Sequence, residues 1–144
     1  MNANALRSLL GDEGKRWVIE MAAIEKVLSK TIGNVLLSTC QMNYLGPFSG
    51  SYRLSLMSKW MTLCDANEID VSPDYSLVQI ISSNIQVREW NISGLPSDQV
   101  SIENAIFTMH GERWPLLIDP QFQGNNWLKK LHKVYESRDP ERTF

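Results

Sequence analysis

The sequence predicts a mainly α protein with a small α/β element. Three observations lead there. Apolar residues recur three or four apart through most of the chain, the period of a helix with one face on a core. Residues that stop or start helices, such as Leu45-Gly-Pro47 and Ser72-Pro73, punctuate those stretches. One short apolar run, Leu116–Ile118, reads as a buried strand that feeds a tight loop and then a helix.

Residues 2 to about 31 read as one long helix, with apolar positions at Leu6, Leu10, Trp17, Met21, Ile24, Leu28 and Ile32. From Trp17 the 4-3-4 spacing fits a coiled-coil seam, and it equally fits an amphipathic helix packed on a core. Gly11 and Gly14 each weaken this helix by about 1 kcal/mol relative to Ala and suggest a break near Asp12. Thr31-Ile-Gly33 reads as a turn or kink. Val35–Tyr44 is a second helix, stopped by Gly46 and Pro47. Ser49 or Ser51 caps a third, whose one face is Tyr52, Leu56, Trp60 and Leu63.

Asp65–Asp74 is polar and ends in Ser72-Pro73, a cap and first helical position for a fourth helix carrying Leu77, Ile80, Ile81 and Ile85. Val87–Trp90 reads as extended and Asn91–Pro96 as loop. Ser101 caps a short helix with Glu103 in its first turn, where a carboxylate suits the positive end of the dipole. Ala105, Ile106 and Phe107 give that helix its apolar side. After a Gly111 turn and the strand, Trp127–Tyr135 forms a last helix with Lys129, Lys130 and Lys133 on a solvated face. The tail from Glu136 to Phe144 has no clear period. A lone strand needs neighbours. Its sheet is therefore made from strands hidden in these readings or lies outside this sequence, which reads as a piece of something larger.

The 144 residues, 43% hydrophobic and 21% charged, suffice for one domain with a core. A net charge of −2 gives no footprint for nucleic acid or an anionic membrane. No signal peptide or membrane-spanning run is visible. Cys40 and Cys64 stand far apart, as do His110 and His132, so no metal site is expected. The cysteines read as small apolar residues on buried helix faces of a cytosolic, reduced protein. No nucleophile and base fall in a recognisable arrangement, so no catalytic residue is assigned.

The loop after the strand can be laid on the phosphate-binding pattern G-x-x-x-x-G-K-[ST]. Asp119 then stands at the first Gly, Gly124 at the second, Asn125 at the Lys and Asn126 at the Ser/Thr. The Lys of a working loop neutralises the β/γ-phosphates and the hydroxyl ligates Mg²⁺. Asn125 brings no charge and Asn126 no hydroxyl, while Asp119 puts a carboxylate where anionic oxygens would lie. The expectation is a degenerate loop without a bound cofactor. A nucleotide-binding protein with an altered loop would have to recruit Lys129 or Lys130.

Gly94-Leu-Pro-Ser-Asp-Gln-Val-Ser-Ile-Glu-Asn-Ala-Ile106, Arg113-Trp-Pro-Leu-Leu-Ile-Asp-Pro-Gln121 and Gln123-Gly-Asn-Asn-Trp-Leu128 resemble the start of the fifth AAA+ module of a dynein heavy chain. Leu36–Arg53, with Tyr44-Leu-Gly-Pro-Phe48 and Tyr52-Arg53, resembles the entry into that module. Glu13-Gly-Lys-Arg-Trp17 and its helix resemble the base of the returning stalk helix. Gly94-Leu-Pro and Asp119-Pro-Gln are closer to axonemal than to cytoplasmic chains. The resemblance implies a piece of a microtubule motor built on a ring of six AAA+ modules. Residues 1–46 would be the stalk-base helix and the end of the preceding module. Residues 47–144 would be the first part of a degenerate P-loop module, with its first strand and helix. It implies a non-enzymatic relay segment whose partners are the rest of the heavy chain and a partner stalk helix, with microtubules reached only through the parent. Cytoplasm, cytoskeleton and ciliary axoneme would be its place. A free-standing interaction module derived from such a chain is the other reading left open.

Overall fold

The computed structural model describes residues 3–138. It holds six helices among them: α1 (Ala3–Tyr44), α2 (Gly50–Ala66), α3 (Leu77–Ile81), α4 (Asn84–Ile92), α5 (Gln99–His110) and α6 (Gln123–Arg138). The tail from 139 onward and the side chains of Leu6 and Leu10 lie outside the described residues.

α1 runs unbroken for 42 residues, about 60 Å of helix. The expected break near Asp12 and the expected turn at Thr31–Gly33 are both absent. Gly33 is instead a point of close approach inside the helix. A Cβ there would collide with the backbone carbonyl of Asp70 and stand 2.8 Å from Cγ2 of Val71. Glycine at 33 thus lets the α2–α3 connection lie against the helix, and tertiary contact outweighs its low helix propensity. The helix stops where Gly46 and Pro47 foretell, with Leu45 N–H on the Gln41 carbonyl at 3.1 Å.

Two apolar clusters form the core. One joins α1 to α2 through Leu37, Leu45, Met57 and Cys64. The other gathers Leu77, Trp90, Leu95, Ala105, Ile106, Trp127 and Leu131 from α3 to α6 and the α4–α5 loop. Trp90 and Trp127 are 1% and 2% exposed and meet edge to face at 6.2 Å. Such a pair contributes about 0.5–1.5 kcal/mol beyond the area it buries.

Several elements differ from their sequence readings. The buried face of α2 is Arg53, Met57 and Cys64, one register away from the expected Tyr52, Leu56, Trp60 and Leu63, of which Tyr52 and Leu63 are exposed. The expected fourth helix is two: α3 starts after Ser76, and α4 starts at a capping box in which Ser83 and Gln86 satisfy each other's backbone N–H. Val87–Trp90 is therefore helical, and Ser72-Pro73 lies in a turn before Tyr75. The cap of α5 is Asp98, not Ser101: its carboxylate accepts the Ser101 N–H at 2.9 Å. That bond holds the Asp98 carboxyl below the usual carboxylate range.

The predicted strand is the largest departure. No strand occurs among the described residues. Leu116–Ile118 has no regular secondary structure and pairs with no strand among the described residues, and Trp114, Leu116 and Ile118 are 95%, 88% and 87% exposed. The expected small α/β element is thus replaced by an irregular segment and the helix after it. An extended run of alternating residues becomes a ladder only when a neighbour completes its hydrogen bonds, and none of the described residues does so.

Candidate functional site

Asp119, just before α6, is brought against Gly124, Asn125 and Asn126 in the first turn of that helix. The turn is closed by Phe122 N–H on the Asp119 carbonyl at 3.2 Å and Asn126 N–H on the Phe122 carbonyl at 3.1 Å. Phe122 takes a left-handed conformation, φ 58°, which folds the chain back over the start of α6. Asp119 then caps the helix. Its Oδ1 accepts the Gln123 N–H at 3.0 Å and its Oδ2 accepts the Asn125 N–H at 2.9 Å. These are among the first amides of α6, which have no carbonyl partner within the helix. Asn125 and Asn126 are exposed. Of the two lysines that could replace a missing cation, Lys129 is exposed, and Lys130 extends toward Gly94 with Nζ 3.4 Å from where a Cβ at that glycine would stand.

An open apolar groove of about 450 Å³ lies between the end of α5, the irregular segment after it and α6. Met109, Trp114, Leu117, Leu128, Leu131 and Tyr135 line it. Leu117 is the one residue of 116–118 that turns toward α6, its Cδ2 3.3 Å from the Cβ position of Gly124.

Two further constellations fix how α1 meets the rest. Asn34 donates to the Ser72 hydroxyl and accepts the Ser72 N–H, both at 2.9 Å. One turn on, the Ser38 hydroxyl meets the Tyr75 hydroxyl at 3.1 Å, and Tyr75 donates to Gln41 Oε1 at 3.1 Å. Positions 34, 38 and 41 share a helix face, so one stripe of α1 grips the loop before α3. Burial pushes the Tyr75 phenol up to about 12, against the pull of its bond with Ser38. Beyond this grip the helix is uncovered. No described side chain between Gly11 and Ile32 is buried, and Trp17, Met21, Ile24, Leu28 and Ile32 are 59–77% exposed.

The second constellation centres on Arg53, which the sequence offers only as part of the family resemblance and not as a buried residue. Its guanidinium donates to the carbonyls of Leu45, Gly46 and Phe48, to Glu103 and to Asn104, and lies 5.1 Å from the centre of the Phe107 ring. A charged residue in register with Met57 and Cys64 was the available signal. A buried position in that register demands partners for the charge.

Residues 88–140 match the sequence model of a family described as the ATP-binding dynein motor region. Dynein axonemal heavy chain 6 of Homo sapiens is 39% identical over 129 residues, which is 90% of this chain and 3% of that protein. Dynein axonemal heavy chain 3 of Mus musculus is 37% identical over 93% of this chain and 3% of its own length. The dynein-1-alpha heavy chain of the flagellar inner arm I1 complex of Chlamydomonas reinhardtii is 36% identical over 88% and 3% respectively. The chain thus spans about 3% of the length of the curated relatives it matches. These similarities bear out the resemblance carried by Gly94–Ile106 and Arg113–Leu128, and its axonemal character.

Proposed function

The chain is related, along about 90% of its length, to one short stretch of the axonemal dynein heavy chains, and from that relationship we propose that it is a non-catalytic structural segment of such a motor. Residues 1–46 serve as the base of the returning stalk helix and the end of one AAA+ module. Residues 47–144 serve as the first part of a degenerate AAA+ module. The segment relays between the ring and the microtubule-binding stalk during ATP-driven movement along the axoneme of a cilium or flagellum. Its partners are the rest of the heavy chain and a second stalk helix, and it meets microtubules only through its parent.

The observation that carries this reading is the contrast along α1. Its last third is gripped by polar bonds at Asn34, Ser38 and Gln41 and by the packing of Leu37. The stretch from Trp17 to Leu28 carries an uncovered apolar stripe at 4-3-4 spacing, which Ile32 continues. A helix held rigidly at one end and apolar at the other is suited to pass a displacement to a partner helix. The chemistry of the 119–126 turn does not fit a nucleoside triphosphate. It offers no cation and no hydroxyl at the positions that would need them, and a carboxylate faces the first amides of the helix. The exposed segment 114–118 fits a sheet completed by other parts of a longer chain.

The relay is tested in a heavy chain that carries this segment. Ile24→Asp with Leu28→Asp should leave the basal ATPase in place while abolishing its stimulation by microtubules. Stimulation at the parental level would contradict the relay.

A further inference from the structure

Building on the reading of the 119–126 turn as free of nucleotide, we infer that Asp119 is itself the occupant of that turn: its carboxylate fills the anion position at the start of α6 and shuts phosphate oxygens out. Both carboxylate oxygens are committed, Oδ1 to Gln123 at 3.0 Å and Oδ2 to Asn125 at 2.9 Å. The N–H groups they take are those a phosphate would need at a helix N-terminus. Gly124 sits close beside this carboxylate. A Cβ at 124 would touch Asp119 Oδ2 at 3.4 Å and stand 3.3 Å from Leu117 Cδ2, which would have to give by a few tenths of an ångström.

Loss of the Lys and of the hydroxyl would by itself leave a weak phosphate cradle. A cradle holding its own carboxylate is closed. A phosphate must displace Asp119 from two charge-assisted bonds and then sit beside the displaced negative charge. The same carboxylate gives α6 the N-terminal anion that a ligand would otherwise supply. The helix start is thereby fixed irrespective of any nucleotide, as a purely mechanical part requires.

The test uses the full chain, ¹⁵N-labelled, as wild type, Asp119→Asn and Asp119→Gly, titrated with inorganic pyrophosphate. In the wild type the Gln123 and Asn125 amide resonances should stay in place at millimolar pyrophosphate. In Asp119→Gly they should move, with apparent affinity at least about tenfold tighter, the scale on which one adjacent like charge acts. Asp119→Asn keeps the side-chain shape and should fall between the two. Circular dichroism reports whether α6 survives in each, and Asp119→Asn answers the question if Asp119→Gly unfolds. Folded variants as indifferent to pyrophosphate as the wild type would overturn the inference, and so would wild-type amides that respond like the variants. Binding of ATP with Mg²⁺ by the wild type would refute the functional reading above. Unresponsive variants beside a silent wild type would refute the self-occupied turn alone.

Discussion

Arg53 and Glu103 form an ion pair at 3.2 Å with side chains only 4% and 7% exposed, fifty residues apart in the chain. Through its other bonds the same guanidinium ties the end of α1 and the 45–48 turn to α5. The pair is therefore a joint between the α1–α2 unit and the helices that carry the 119–126 turn. Arg53→Met should cost about 3–5 kcal/mol, because it strands a buried carboxylate and the carbonyls the guanidinium had satisfied. Arg53→Lys should recover less than half, since an ammonium lacks the planar fork. Urea unfolding checks both, and a loss below about 1 kcal/mol for Arg53→Met would show the joint to be dispensable.

Gly33→Ala separates propensity from packing. In an exposed helix Ala would gain about 1 kcal/mol over Gly. Here the new methyl meets the Asp70 carbonyl, and backbone cannot step aside as a side chain can. The expected outcome is a net loss of about 1–3 kcal/mol in chemical denaturation. A stabilised variant would mean that α1 and the α2–α3 connection do not touch.

Tyr75 predicts an alkaline dependence. Burial raises its phenol from 10.0 to about 12, so the folded state favours the neutral form. The stabilisation is complete below pH 10 and is lost as pH climbs from 10 toward about 12. Tyr75→Phe gives up the bonds to Ser38 and Gln41, roughly 1 kcal/mol at neutral pH. The gap between wild type and variant should stay constant up to about pH 10 and shrink above it. A gap that is flat through the alkaline range would place Tyr75 in water.

Much of this was legible in the sequence, and what was not has physical causes. The stripe of α1, the stop at Gly46-Pro47 and the last helix follow from periodicity and punctuation, and the family resemblance from short motifs. Gly33 was misread because a glycine that breaks a helix and one that admits a neighbour look alike until the neighbour is placed. The α2 face differs because periodicity counts only apolar residues, whereas the buried face includes Arg53, whose charge is met inside. Leu116–Ile118 was read as buried from its apolar character alone, whereas burial of a strand depends on strands elsewhere. At the candidate turn, residue identities alone put Asn125 and Asn126 where a Lys and a hydroxyl residue would stand. The doubly bonded Asp119 was not foreseen, because the φ of Phe122 that aims it is a tertiary outcome.

The central claim is that the 119–126 turn is a mechanical joint and takes no nucleotide. Its most direct test is thermal unfolding of the purified chain with and without saturating ATP and Mg²⁺. Anything bound to the folded state alone must raise the midpoint, by an amount that grows with ligand concentration. The expected result is an unchanged Tm at every ATP concentration. A rise of several degrees that scales with ATP and disappears on Gly124→Val would contradict it.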